Sequence, residues 1–156
     1  MSWGLSPIHR ALVFFGASSP VGGALARGLV ERGVGEVRAL RRWDEPASLA
    51  GQGDAPQVSW AVAQEDDLAA LGWAFQGCDV VFYAPPSLGE VRQEVGRLRR
   101  VLGLAREAQL RRVVLVLPQE GEAARWLDLE ARRAAGLGAG VSVARSVEAA
   151  LEAGGL

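Results

Sequence analysis

The chain has 156 residues, which is enough for one domain with a buried core and too few for two. Its formal net charge of -1 argues against a nucleic acid or a membrane surface as the main partner, and no apolar run approaches the ~18 residues that a membrane-spanning helix needs. The single cysteine, Cys78, cannot form an internal disulfide, and the N-terminus lacks a signal-peptide pattern, so we expect a cytoplasmic protein.

Strands and helices are predicted to alternate along the chain. Strands are placed where apolar residues run without alternation, and helices where they recur every three or four positions. After a loosely held lead-in over 1–9, the predicted elements in chain order are a strand 10–15, helix 20–32, strand 36–40, a turn or short helix near 46–50, a loop 51–56, strand 57–62, helix 66–76, strand 78–84, helix 88–108, strand 111–117, helix 121–135, strand 141–145 and a last helical segment 147–153.

Alternating strands and helices with short connections specify a parallel sheet covered by helices on both faces. Right-handed crossovers and a glycine-containing loop after the first strand favour the strand order 3-2-1-4-5-6. We therefore predict a three-layer, doubly wound α/β fold with about six parallel strands, in a single domain over residues 1–156.

The loop between the first strand and the first helix has the features of a phosphate-binding turn. Exposed N–H groups at a helix N-terminus, together with the helix dipole, favour a pyrophosphate. The common pattern has three glycines, but only two remain here, and Ser19 or Pro20 stands at the middle position. Either serine hydroxyls replace the lost contact, or the loop no longer binds a nucleotide. The candidate binding residues of the loop are Gly16, Ser18, Ser19, Pro20, Val21 and Gly22.

Four segments resemble motifs of the short-chain dehydrogenase/reductase superfamily, with the atypical NmrA-like branch as the nearest. They are the glycine loop 16–22, a second strand ending in arginine over 37–42, the helix-to-strand segment 77–86, and the glycine-rich turn and strand 137–145. The resemblance covers about residues 10–146. It implies a Rossmann fold that binds NAD or NADP.

The end of the second strand bears on the choice between the two cofactors. An acidic residue there binds the ribose of NAD, whereas a basic residue accommodates the 2′-phosphate of NADP. Arg41 and Arg42 occupy this position, so NADP is preferred over NAD, unless both arginines simply face solvent. Trp43 would either stack on the adenine or cap an edge of the core.

The resemblance implies two further contacts with the cofactor. The family has an acidic residue after the third strand that holds the adenine amino group, and Gln64 or Glu65 could fill this role. The segment after the fourth strand, with Ala84 and Pro85, would run along the nicotinamide ribose.

The catalytic residues of the superfamily are incomplete in this chain. Its reductases resemble one another in a serine, a tyrosine and a lysine four residues after the tyrosine, but this sequence has no lysine at all. The only tyrosine, Tyr83, lies at the end of the fourth strand and is a weak catalytic candidate. Other polar residues predicted near the carboxyl ends of the strands are Ser87, Gln119, Glu120, Glu122 and Arg145.

His9 and Cys78 precede strands, and the amino ends of the strands lie away from a site at the carboxyl ends. We interpret His9 as a surface or structural residue and Cys78 as a small buried apolar residue. No spacing typical of metal ligands is present, so no metal site is predicted.

The predicted helix 88–108 carries two apolar strips. One strip must cover the sheet, and the other could form a two-fold helix–helix interface, which resembles how members of this superfamily dimerise. A homodimer is therefore expected, unless both strips pack internally.

Three functions remain open from the sequence. The first is an NADP(H)-binding protein without the family's catalytic set, acting as a redox or cofactor sensor. The second is a small NAD(P)-dependent oxidoreductase or epimerase-like enzyme. The third is an interaction protein on a degenerate Rossmann scaffold that binds no nucleotide.

Overall fold

The computed structural model describes residues 8–49 and 56–156 of the chain. In chain order the elements are β1 Arg10–Phe14, α1 Pro20–Glu31, β2 Glu36–Arg41, β3 Val58–Val62, α2 Leu68–Phe75, β4 Val80–Tyr83, α3 Val91–Glu107, β5 Arg112–Val116, α4 Glu122–Gly136, β6 Val141–Ala144 and α5 Val147–Ala153. The predicted lead-in up to residue 7 and most of the predicted loop 51–56 lie outside the described residues.

The six strands form one parallel sheet in the order β3-β2-β1-β4-β5-β6, which confirms the predicted topology. β1 lies near the centre, where Leu12 pairs with Arg38 of β2 on one side and with Val81 of β4 on the other. The carboxyl ends of β1, β2 and β4 therefore meet at one edge, which is where ligands bind in sheets of this kind.

Helices cover both faces of the sheet, and each face has its own core. α2, α3 and α4 pack on one face through residues such as Phe75, Leu98 and Leu127. α1 and α5 pack on the other through residues such as Leu25 and Leu151. The central strands β1, β4 and β5 are buried between the two layers along most of their length, and helices on both faces of a parallel sheet confirm the doubly wound α/β class.

The element boundaries differ from the sequence prediction by a few residues, for local reasons. α2 begins at Leu68, not at residue 66, because the Asp67 side chain accepts a hydrogen bond from the N–H of Ala70 and caps the helix. The N–H of Cys78 bonds to the carbonyl of Phe75 at the end of α2, and β4 begins two residues later.

In the segment expected as a turn or short helix near 46–50, residues 47 and 48 form bends and Leu49 forms an isolated β bridge. No helix within residues 8–49 and 56–156 is both long and apolar enough to cross a membrane.

Candidate functional site

The glycine loop follows β1 through a sharp change in backbone direction. Phe15 has a φ of 49° and Gly16 a φ of 78°, so two consecutive residues adopt the left-handed conformation. The carbonyl oxygen of Gly16 accepts hydrogen bonds from the N–H of Ser19 at 2.8 Å and from its hydroxyl at 2.5 Å. These hydrogen bonds hold the loop in a tight turn that leads directly into α1.

Gly22 allows α1 to pack directly against this loop. A Cβ atom at this position would lie 2.0 Å from the carbonyl oxygen of Gly16 and 2.5 Å from its carbonyl carbon. No side chain fits at such distances without movement of the backbone. The two glycines that the sequence retains are therefore the two that bring the loop and the helix together.

Ser19 serves mainly the loop itself. Its Oγ also accepts a hydrogen bond from the N–H of Gly22, at 3.4 Å, and so caps α1, while Pro20 takes the first helical position as predicted. Among the hydrogen bonds of residues 8–49 and 56–156, none uses the N–H of Ser18 or of Val21. These two groups, at the positive end of the helix dipole, remain available to an anionic ligand.

A cavity of about 330 Å³ opens beside the loop, at the carboxyl ends of β1, β2 and β4. It brings together several residues predicted for the site and others that were not. The lining residues are Phe14, Phe15, Gly16, Ser18, Ser19, Arg42, Glu45, Tyr83, Pro85, Pro86, Ser87 and Arg97.

Arg42 lines this cavity and is held in place on three sides. Its guanidinium lies 4.2 Å from the centroid of the Phe15 ring, 2.6 Å from a carboxylate oxygen of Glu45 and 3.1 Å from one of Glu65. Burial alone would lower the pKa of Arg42, but the hydrogen bond to Glu45 and the two negative charges outweigh it and raise the pKa. The side chain is thus a fixed positive charge at the cavity wall.

Arg41, the other predicted phosphate ligand, has a different role. Its Nη1 donates to the backbone carbonyls of Trp43 and Glu45, the latter at 2.8 Å. It braces the turn after β2 and does not line the cavity. Trp43 is 72% exposed, so it caps no edge of the core.

Arg42 is part of an alternating chain of charges along the cavity. The ion pairs link five side chains in the order Glu45, Arg42, Glu65, Arg97 and Glu94. Arg97 lies 2.7 Å from Glu65 and 2.9 Å from Glu94. We call these five residues the charged chain. Three carboxylates and two guanidinium groups give it a net charge of about -1 at neutral pH.

The two candidate residues that follow β3, Gln64 and Glu65, make different contacts. Glu65 bridges Arg42 and Arg97, which both line the cavity. The carbonyl of Gln64 instead accepts a hydrogen bond from the N–H of Asp67 in the turn before α2. Glu45, Glu94 and Arg97 were not among the residues predicted for the site. The spacing of Glu94 and Arg97 is typical of a helical ion pair, but it does not indicate which surface the pair faces.

Tyr83 forms part of the cavity wall. The residue is 2% exposed, and its ring packs edge-to-face against Phe14 with the centroids 5.5 Å apart. Burial, and then the negative charge of Glu94, raise the pKa of its hydroxyl far above the ordinary value. Tyr83 therefore keeps its proton and can act as a hydrogen-bond donor, not as a base.

The other candidates after the strands are spread over a wider area. Ala84 is buried, with its carbonyl 3.2 Å from where a Cβ of Gly16 would lie, and the carbonyl of Pro85 accepts a hydrogen bond from Gln119 at 2.7 Å. Arg145 donates to the carbonyl of Leu117, away from the cavity. Glu120 and Glu122 are exposed, and Ser87 lines the cavity.

His9 and Cys78 lie at the opposite edge of the sheet, as expected. The backbone N–H of His9 donates to a carboxylate oxygen of Asp79 at 2.8 Å, and burial raises the pKa of the Cys78 thiol to about 11. Within the described part of the chain, no group of three or more histidine, cysteine or acidic residues could hold a metal ion.

Comparison with known proteins agrees with this arrangement. A family model described as NAD(P)H-binding matches residues 16–156. No curated protein sequence matches the chain. The match with this family supports a nicotinamide dinucleotide as the ligand of the protein, and it confirms the resemblance to the dehydrogenase/reductase superfamily.

Solved structures share the fold at low sequence identity. A nucleoside-diphosphate-sugar epimerase from Pseudomonas aeruginosa is 20% identical, with a TM-score of 0.66 over 86% of this chain and 50% of that one. A second such epimerase, from Staphylococcus aureus, is 12% identical, with a TM-score of 0.66 over 86% and 49% of the two chains. A Rossmann-fold NAD(P)-binding family protein from Shigella flexneri is 16% identical, with a TM-score of 0.63 over 86% and 66%. The chain thus spans about half the length of the two epimerases.

Proposed function

Because this chain belongs to the NAD(P)H-binding family, whose model matches residues 16–156, we propose that it binds NADP(H) and acts as a redox or cofactor sensor. The observation that carries the proposal is the glycine loop. There, the N–H groups of Ser18 and Val21 lie at the positive end of α1, and Ser18 and Arg42 line the same cavity.

The glycine loop fits the phosphates of a dinucleotide, and the walls of the cavity fit one of its rings. The close packing of Gly16 and Gly22 holds the loop at the N-terminus of α1, where the backbone N–H groups would bind a pyrophosphate. Phe15 and Pro86 give the same cavity apolar walls that suit a flat ring. When bound, the cofactor would supply hydride chemistry, while the residues of this chain bind and orient it.

Arg42 supports the preference for NADP(H) over NAD(H). We expect Arg42→Ala to weaken NADPH binding about tenfold and NADH binding much less, because a guanidinium–phosphate hydrogen bond contributes about 1.5 kcal/mol. Isothermal titration calorimetry with both nucleotides measures the difference. Arg125→Ala is the matched control, since Arg125 is exposed on α4 outside the cavity.

The outcomes of that titration are distinct. Equal loss for NADPH and NADH would assign Arg42 to the general positioning of the ligand and leave NADP preference without support. Absence of heat for both nucleotides with the unmodified protein would contradict the proposed function and favour an interaction protein on a Rossmann scaffold.

A sensor role is favoured over catalysis by the missing acid–base pair. The chain has no lysine, and burial keeps Tyr83 protonated. Tyr83 nevertheless supports a second candidate, an NAD(P)-dependent oxidoreductase or epimerase-like enzyme, because the residue lines the cavity and its hydroxyl could donate to a substrate oxygen. Consumption of NADPH with a panel of carbonyl compounds would support the enzyme, and no consumption by a protein that binds NADPH would support the sensor.

The proposed sensor forms a homodimer through α3 and α4. A groove of about 870 Å³ runs between these helices, with Val95 half-buried on α3 and the side chains of Trp126 and Leu129 about half exposed on α4. Burial of such exposed apolar side chains against a second copy would stabilise the pair. Both the dimer and the cytoplasmic location, which rests on the single buried cysteine, are part of the proposal.

We expect light scattering to give the mass of two chains at micromolar concentration and Trp126→Glu to reduce it to one. The control is Trp73→Glu, which places the same charge at a tryptophan of α2 that is 77% exposed and lies outside the groove. A monomeric mass for the unmodified protein, or equal effects of the two substitutions, would exclude this interface.

A further inference from the structure

The hydroxyl of Tyr83 is a buried donor without an acceptor. Tyr83 lines the 330 Å³ cavity and is 2% exposed. The Arg97 guanidinium can donate to its Oη, but no group within residues 8–49 and 56–156 accepts the hydroxyl proton. A buried hydroxyl without a partner is unfavourable, and such groups in native proteins call for an explanation.

The nearest charged groups do not provide that acceptor. Arg97 lies beside the hydroxyl, but a guanidinium only donates hydrogen bonds and cannot accept the O–H proton. The carboxylate of Glu94 accepts from the N–H of Gly89 at 2.7 Å and from Arg97 at 2.9 Å, and it makes no hydrogen bond with the Tyr83 hydroxyl. Because Tyr83 lines the cavity, a ligand bound there would supply the missing acceptor.

The surroundings define the chemistry of that acceptor. The negative charges of Glu94 and Glu65 raise the pKa of the hydroxyl, whereas the positive charge of Arg97 lowers it. Since the charged chain as a whole carries a net charge of about -1, a neutral acceptor is favoured over an anion. The remaining walls are aromatic rings and prolines, namely Phe14, Phe15, Pro85 and Pro86. Such walls accommodate a flat, weakly polar group, whose orientation one polar contact can fix.

We infer that Tyr83 is a ligand-binding residue whose hydroxyl donates a hydrogen bond to a neutral oxygen or nitrogen acceptor on a planar ring. The inference rests on the proposed function, since both ends of a nicotinamide dinucleotide carry such a group. These are the ring nitrogens of adenine and the carboxamide oxygen of nicotinamide. In this arrangement Tyr83 recognises a ring of the ligand, whereas the glycine loop recognises its phosphates.

The test is Tyr83→Phe, which removes the hydroxyl and keeps the ring that packs on Phe14. We expect NADPH binding to weaken about five- to tenfold, the effect of one hydrogen bond, while the melting temperature of the free protein stays the same or rises. Removal of a hydroxyl that contacts only the ligand weakens binding without lowering the melting temperature, whereas removal of a structural hydroxyl lowers the melting temperature. A fall in melting temperature would show that the hydroxyl has a structural partner and would overturn the inference.

Two smaller probes distinguish the ends of the dinucleotide. Adenosine 5′-monophosphate and nicotinamide mononucleotide each carry one ring and one phosphate, and the substitution should weaken only the one whose ring reaches Tyr83. Because Tyr83 is the only tyrosine, fluorotyrosine labelling gives a single ¹⁹F signal that the same probe should shift.

The results also separate this inference from the proposed function. If the unmodified protein and Tyr83→Phe bind NADPH equally well, the proposed function stands and the inference fails. If a mononucleotide binds in a Tyr83-dependent manner but NADPH does not bind, the inference stands and the proposed function fails. If the unmodified protein binds none of the three probes, both are overturned.

Discussion

Gly22→Ala is expected to destabilise the protein by about 3 kcal/mol and to abolish nucleotide binding. The added Cβ would lie 2.0 Å from the carbonyl oxygen of Gly16, so either the loop or α1 must move. Overpacking against flexible side chains costs about 1–3 kcal/mol, and here the obstructing atoms belong to the backbone, which places the effect at the upper end. The same movement separates the N–H groups of the loop that would bind phosphate.

Chemical denaturation and calorimetry with NADPH measure the two effects. Gly103→Ala is the matched control, because Gly103 lies in α3 and an added Cβ would have no atom within 4 Å apart from the neighbouring backbone of the helix itself. Since alanine favours helix over glycine, the control should gain about 0.5–1 kcal/mol. A Gly22→Ala protein with normal stability and affinity would show that the helix does not pack against the loop at this distance.

Glu94→Ala should destabilise the protein by about 2 kcal/mol. Glu94 is a carboxylate 2% exposed, and it joins the backbone N–H of Gly89 to the guanidinium of Arg97. Loss of one partner of a buried ion pair costs about 3–5 kcal/mol, and the value is reduced here because the Arg97 side chain is 33% exposed and partly hydrated.

Two further variants define what the carboxylate of Glu94 contributes. Glu94→Gln keeps an acceptor for Gly89 and should recover about half of the loss. Glu148→Ala removes the partner of Arg32 on a side chain that is 70% exposed, and it should cost less than about 0.5 kcal/mol. If Glu94→Ala and Glu148→Ala were equally mild in urea denaturation, the buried end of the charged chain would not stabilise the fold.

The topology of the sheet was predictable because it depends on local patterns. Apolar runs without alternation mark strands buried on both faces, and their alternation with amphipathic segments leaves little choice other than parallel pairing with right-handed crossovers. The order β3-β2-β1-β4-β5-β6 and the start of α1 at Pro20 followed from these rules.

The side chains that line the cavity were less predictable than the topology, because a charged side chain can adopt several orientations from one backbone position. Arg41 and Arg42 are adjacent and chemically identical, yet one braces a turn and the other lines the cavity. The pairing of Arg42 with Glu45 and Glu65 depends on how the loops after β2 and β3 approach each other.

By itself, the sequence determined the fold and the edge of the sheet at which a site must lie. The pattern of apolar residues and glycines acts over short distances, and the backbone hydrogen bonds then follow. Only the tertiary structure decided which side chains share the cavity. It brings Arg97 of α3 to Glu65 after β3, and it buries the Tyr83 hydroxyl without an acceptor. Burial and electrostatic pairing between residues distant in the chain are properties of the packed molecule, and for that reason no local pattern predicts them.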